Sequence, residues 1–84
     1  MTKRIKYGLR IGDQGLVFDP STGESFTLNP TGIIILKLMT EGTDENGIFE
    51  ILSRDYEITR TEFDRYLLDF VAVLKSCQLL ENEA

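Results

Sequence analysis

The 84-residue chain is 42% hydrophobic and 27% charged, the composition of a soluble globular fold with room for one core, so 1–84 is expected to form a single domain centred on about residues 5–80. It has no histidine and one cysteine, which excludes a Cys/His triad, a histidine general base, the common zinc sites and an internal disulfide. Residues 1–10 hold four bases and no acid, whereas residues 11–84 hold the other five bases and all fourteen acids. That acidic body opposes a nucleic-acid surface.

The basic start is followed by no apolar stretch of signal-peptide type, and apolar runs such as Ile33 to Leu36 are no longer than five residues, far short of a membrane span. A cytoplasmic protein is expected, and Cys77 suits a reducing compartment. Ile5, Tyr7, Leu9 and Ile11 alternate with polar or small neighbours, which predicts a first strand over 5–11. Gly12 to Gly15 reads as a turn, Leu16-Val17-Phe18 as a second strand and Glu24 to Leu28 as a third. Between these strands, Asp19-Pro20-Ser21-Thr22-Gly23 suits a type I turn, with proline fixing φ at its second position. Connections this short make an antiparallel meander.

At Asn29 the period changes. Asn29-Pro30 is a helix start, with Asn29 as N-cap and Pro30 where a missing N–H costs nothing. The first helix, over 30–41, is apolar on several sides through Ile33, Ile34, Ile35, Leu36, Leu38 and Met39, which makes it central; Gly42 terminates it. Thr43 or Asp44 caps a second helix over 44–55 that turns Ile48, Phe49, Ile51, Leu52 and Tyr56 inward. Thr59-Arg60-Thr61-Glu62 fits a capping box for a third helix running to about Cys77. The fold class is therefore α+β and winged-helix-like: an N-terminal three-stranded antiparallel meander followed by a three-helix bundle.

The third helix is apolar over a wide arc. Phe63, Leu67, Phe70 and Leu74 form its centre, Tyr66, Val73 and Cys77 widen one flank, and Val71 and Leu68 widen the other. A helix packed on one side needs a stripe of roughly 100°. Either the core wraps around this helix, or one flank lines a groove or a dimer contact.

The remaining motifs have structural explanations. Asp44-Glu45-Asn46-Gly47 has its glycine at the fourth rather than the sixth position of a calcium loop and no closing glutamate in the required spacing, so it reads as an acidic helix start. The glycines precede no Lys-Ser or Lys-Thr, so they cradle no phosphate. Cys77 reads as a packed thiol, and the carboxylates offer no catalytic pair. A winged helix raises DNA binding, but Arg60, Arg65 and Lys75 on the third helix are balanced by Glu62, Asp64 and Asp69. No catalytic residue, cofactor or metal is expected.

The stretch from Val17 to Gly32 resembles the PqqD-like family of small peptide chaperones, also called precursor-peptide (RiPP) recognition elements. Asp19, Gly23, Leu28, Asn29, Thr31, Gly32 and Gly42 match its pattern of strand, D-x-x-T/S-G hairpin, Leu-Asn strand end and Thr-Gly helix opening, and Leu79-Leu80 resemble the pair after its last helix. The resemblance spans about residues 5–80. Leu36 stands where many members have tryptophan and Gln78 where many have glycine. The Phe-Asp-Pro-Ser-Thr-Gly wording is most similar to the subgroup named for association with HPr-kinase-related proteins.

The resemblance implies a non-catalytic module that binds a precursor or leader peptide and presents it to a modifying enzyme. The residues suit that role. If the third strand lies at an edge, its free N–H and C=O groups can template an added strand, and no proline or lysine blocks it. A guest is expected to pair along Glu24, Ser25, Phe26, Thr27 and Leu28, with apolar side chains against Tyr66, Phe70 and Val73. Four or five hydrogen bonds and two buried side chains correspond to micromolar affinity, roughly −8 kcal/mol. The alternative is a small regulatory or interaction subunit acting through homodimerisation or docking to a kinase-like partner.

Overall fold

A computed structural model describes residues 5–12 and 14–80. Three short strands precede three helices: β1 (Arg10–Ile11), β2 (Leu16–Asp19), β3 (Glu24–Thr27), α1 (Pro30–Thr40), α2 (Glu45–Asp55) and α3 (Arg60–Ser76). The sheet is antiparallel with order β1-β2-β3. Its inner face carries Val17 opposite Phe26, and its outer face carries Phe18 opposite Ser25. The α+β meander-then-bundle reading holds.

The first strand is shorter than its alternation predicts. Residues 7 and 8 form a turn in which Gly8 takes φ of +88°, a conformation that interrupts a strand. Tyr7 is left 93% exposed. Ile5, before that turn, bridges to Leu80, and the Lys6 amide donates to the Leu79 carbonyl at 2.7 Å. The N-terminal segment thus closes against the chain after α3, a pairing that no local pattern encodes. Lys3, Arg4 and, in the Gly12–Gly15 turn, Asp13 lie outside the described residues.

Each helix starts on a side-chain cap. Asn29 Oδ1 accepts from the Gly32 amide at 2.7 Å and Asp44 Oδ1 from the Gly47 amide at 2.8 Å. Of the two candidate caps for α2, the structure therefore selects Asp44. Thr59 and Glu62 form the reciprocal capping box. The core joins Ile33, Ile35 and Leu36 of α1, Ile48 and Leu52 of α2, and Phe63, Leu67, Phe70 and Leu74 of α3, with Val17 beneath and Ile5 and Leu79 at its margin. Such burial contributes about 1.5–3 kcal/mol per large side chain. Phe49 and Phe63 meet at 5.4 Å, and Arg60 lies over both rings while its guanidinium bonds Asn46 and Asp64. One of the bases weighed for DNA contact is thus committed to joining α2 and α3.

Candidate functional site

Among the described residues, β3 has β2 on one side and no strand on the other. The orientation of its backbone follows from one hydrogen bond. The Leu28 amide donates to the Gly15 carbonyl at 2.8 Å, and the register pairs Thr27 with Leu16 and Phe26 with Val17. In an antiparallel ladder, residues facing the partner alternate with residues facing away. Residues 24, 26 and 28 therefore turn their polar backbone groups toward β2, and Ser25 and Thr27 turn theirs to the open edge. Gly15 keeps this register tight: a Cβ there would collide with the Leu28 carbonyl oxygen. The edge segment, Glu24-Ser25-Phe26-Thr27, contains no proline or lysine, the usual guards of a free edge. Phe26 is half-buried on the inner face, and Glu24, Ser25 and Thr27 are exposed.

Past Leu28 the chain turns onto α3. The Tyr66 hydroxyl donates to Asn29 Oδ1 at 3.4 Å, and a Cβ on Gly32 would lie 3.3 Å from the Phe70 ring and 3.4 Å from Leu28 Cβ. Tyr66 and Phe70 stack at 6.3 Å with ring planes 16° apart. The structure thus places Leu28, Tyr66 and Phe70 around the β3–α1 junction. Their exposures differ: Phe70 is 7% exposed and belongs to the core, Tyr66 is half-buried, and Val73 on the same flank is 47% exposed. From Phe70 through Tyr66 to Val73 the flank grades from core to free surface.

The opposite flank of α3 differs from the sequence picture. Leu68 is 72% exposed, and Val71 lines a broad groove together with Leu9, Ile11, Met39 and Lys75. Sequence reasoning missed this groove because it assigned residues 5–11 to a continuous strand.

Asp19 is a structural carboxylate. It is 2% exposed, contacts Lys6 Nζ at 2.7 Å, and accepts from the hydroxyl and amide of Ser21. The Lys6 and Ser21 side chains hold its pKa down at about 2. The hydrogen bond from the Thr59 amide likewise holds the Glu62 carboxyl below its ordinary range. Both stay ionised and are committed to local structure. Among the described residues, no cluster of three His, Cys, Asp or Glu is placed to hold a metal, no helix is long and apolar enough to cross a membrane, and no buried side-chain polar atom lacks a partner.

The model of the family described as coenzyme PQQ synthesis protein D (PqqD) matches residues 14–80. The solved structure of TbiB1 in complex with the TbiA(beta) leader peptide is similar to this chain at a TM-score of 0.79 and 28% identity, covering 96% of this chain and 98% of that one. No curated protein sequence matches the chain.

Proposed function

The chain belongs to the PqqD family, and we propose that it is a non-catalytic peptide-binding module that takes up a precursor peptide by strand addition and presents it to a modifying enzyme. The observation that carries this reading is the open edge of β3, where Ser25 and Thr27 direct their backbone groups outward. Main-chain pairing supplies affinity there, and the Tyr66–Phe70–Val73 flank supplies contacts for guest side chains. The whole-chain likeness to TbiB1, a protein solved with a leader peptide, supports the same role. Glu24, Ser25, Phe26, Thr27, Leu28, Tyr66, Phe70 and Val73 are the proposed contact residues.

Net gains of about 0.5–1.5 kcal/mol per hydrogen bond, offset by ordering the guest, place affinity in the micromolar range. Titration of a candidate leader peptide into isotopically labelled protein tests the site. Shift changes along residues 24–28 and at Tyr66 and Val73 are expected; changes confined to α2 would exclude it. Co-purification with a peptide-modifying enzyme in the presence of the bound peptide tests presentation.

The exposed Leu16 and Phe18 on the outer sheet face favour a second role, self-association or docking to a kinase-like protein. Sedimentation across a concentration series tests self-association.

A further inference from the structure

A second, smaller groove meets the proposed strand site at a shared residue. It lies between the N-terminal ends of α1 and α3 and the chain that follows α2. Tyr66 lines it together with Tyr56, Leu52, Ile58, Glu57 and Glu62, and Thr31 closes the α1 end. It combines apolar and aromatic walls with two acids, and no lysine or arginine lines it. Tyr56, at 43% exposed, offers its ring to the surface. Glu62 is fixed by its bond from the Thr59 amide at 2.9 Å, so its charge cannot swing away without breaking the cap of α3.

This lining selects one class of side chain. An apolar group would desolvate carboxylates without replacing their hydrogen bonds, and an acidic group would be repelled. A lysine or arginine lays its aliphatic stem on the apolar wall, its cation near the tyrosine rings and its donors on the carboxylates. Thr27, the last outward-facing position of β3, precedes Thr31 by four residues, a reach of at most about 13 Å for extended chain.

We propose that the groove between Tyr56 and Tyr66 is a subsite for a lysine or arginine of the guest peptide, within about four residues of its strand-paired segment. This assignment rests on the strand-addition reading above.

The 84-residue protein is immobilised and offered pooled synthetic peptides that have a fixed valine–threonine core and randomised positions on both sides. Wild type, Thr27→Pro and the double variant Glu57→Gln/Glu62→Gln are compared. Glutamine at position 62 retains capping-box geometry while removing the charge, and circular dichroism verifies that each variant is folded. Peptides whose capture is lost in Thr27→Pro are expected to be enriched in lysine and arginine on one side of the core, roughly three- to tenfold. The double variant is expected to retain core capture and lose that enrichment. Thr27→Pro-sensitive capture without basic enrichment, with equal enrichment on both sides, or with enrichment unchanged in the double variant overturns the subsite alone. The absence of any Thr27→Pro-sensitive capture overturns strand addition and the subsite with it.

Discussion

Asn29 and Tyr66 share one oxygen: Asn29 Oδ1 accepts the Gly32 amide at 2.7 Å and the Tyr66 hydroxyl at 3.4 Å. The atom that caps α1 also contacts α3, so the chain just past β3 is fixed relative to α3. Asn29→Ala is expected to cost about 0.5–2 kcal/mol, read as a fall of several degrees in Tm. Tyr66→Phe, which loses only the longer bond, is expected to cost less than half of that. Gly32→Val is expected to cost about 1–3 kcal/mol through overpacking, because even a Cβ there sits 3.1 Å from Asn29 Oδ1 and 3.3 Å from the Phe70 ring. Unchanged melting in Asn29→Ala and Gly32→Val would show that the junction is not organised in this way.

Backbone orientation in β3 separates two proline substitutions one residue apart. Phe26 turns its N–H to β2, so Phe26→Pro removes a ladder bond and is expected to destabilise by about 3 kcal/mol or more. Thr27 turns its N–H outward, so Thr27→Pro is expected to leave folding within about 1 kcal/mol of wild type while reducing binding of a leader peptide at least tenfold. Ser25→Ala keeps the main chain and is expected to bind normally. Chemical denaturation and fluorescence anisotropy read the two effects separately, and equal binding by Thr27→Pro and wild type would rule out pairing at this edge.

Acid sensitivity follows from Asp19. Its ordinary pKa of 3.8 falls to about 2 in the fold. A depressed folded-state pKa stabilises the protein fully above the unfolded value and loses that contribution as pH falls toward the folded one. Stability is therefore expected to decline between about pH 4 and pH 2, with Glu62 acting in the same direction. Asp19→Asn is expected to be less stable at neutral pH and to show a flatter profile across this window. A profile identical in slope to wild type would assign the acid transition to other groups.

The boundaries that were legible in the sequence are those written in local chemistry. Asn29-Pro30 and Thr59 with Glu62 place the starts of α1 and α3, because a cap needs only residues within one turn. The extent of the first strand was not legible. Ile5, Tyr7, Leu9 and Ile11 have the right alternation, but the turn at Gly8 and the tie from Ile5 to Leu80 depend on a segment more than seventy residues away. The edge position of β3 followed from the meander, whereas the choice of Ser25 and Thr27 as the outward residues required the Leu28–Gly15 bond. The wide arc of α3 was visible as composition. Only packing separates buried Phe70 from Val73 and Leu68, which are exposed.

Gln78 offers a stabilising test. It has φ of +59°, the one non-glycine residue in that region among those described, and it sits just past the Cys77 C-cap of α3. The Leu79 amide bonds the Leu74 carbonyl at 2.9 Å and the Gln78 amide bonds the Lys75 carbonyl at 3.0 Å, the paired closure of a Schellman motif. A side chain in the left-handed region costs about 1–2 kcal/mol, and glycine returns part of that gain through the unfolded state. Gln78→Gly is expected to stabilise by about 0.5–1 kcal/mol, measured as a higher denaturation midpoint with the same slope. A lower midpoint would mean that the glutamine side chain makes a contribution larger than its backbone cost.

The same flank of α3 is expected to yield opposite outcomes at two positions one turn apart. Phe70 is 7% exposed and packs against the β3–α1 junction, so Phe70→Ala should cost about 3–5 kcal/mol in folding, and its loss of binding combines a missing guest contact with unfolding. Val73 is 47% exposed, so a charge there keeps its water and Val73→Asp should change folding by no more than about 1 kcal/mol. If Val73 borders the groove, a guest side chain docking there must either desolvate the new carboxylate or lose its apolar contact, and leader-peptide affinity should fall by about tenfold or more. Binding by Val73→Asp at wild-type affinity, with the Thr27→Pro effect intact, would place the guest side chains elsewhere, and the Leu68–Val71 flank would then be the next to test.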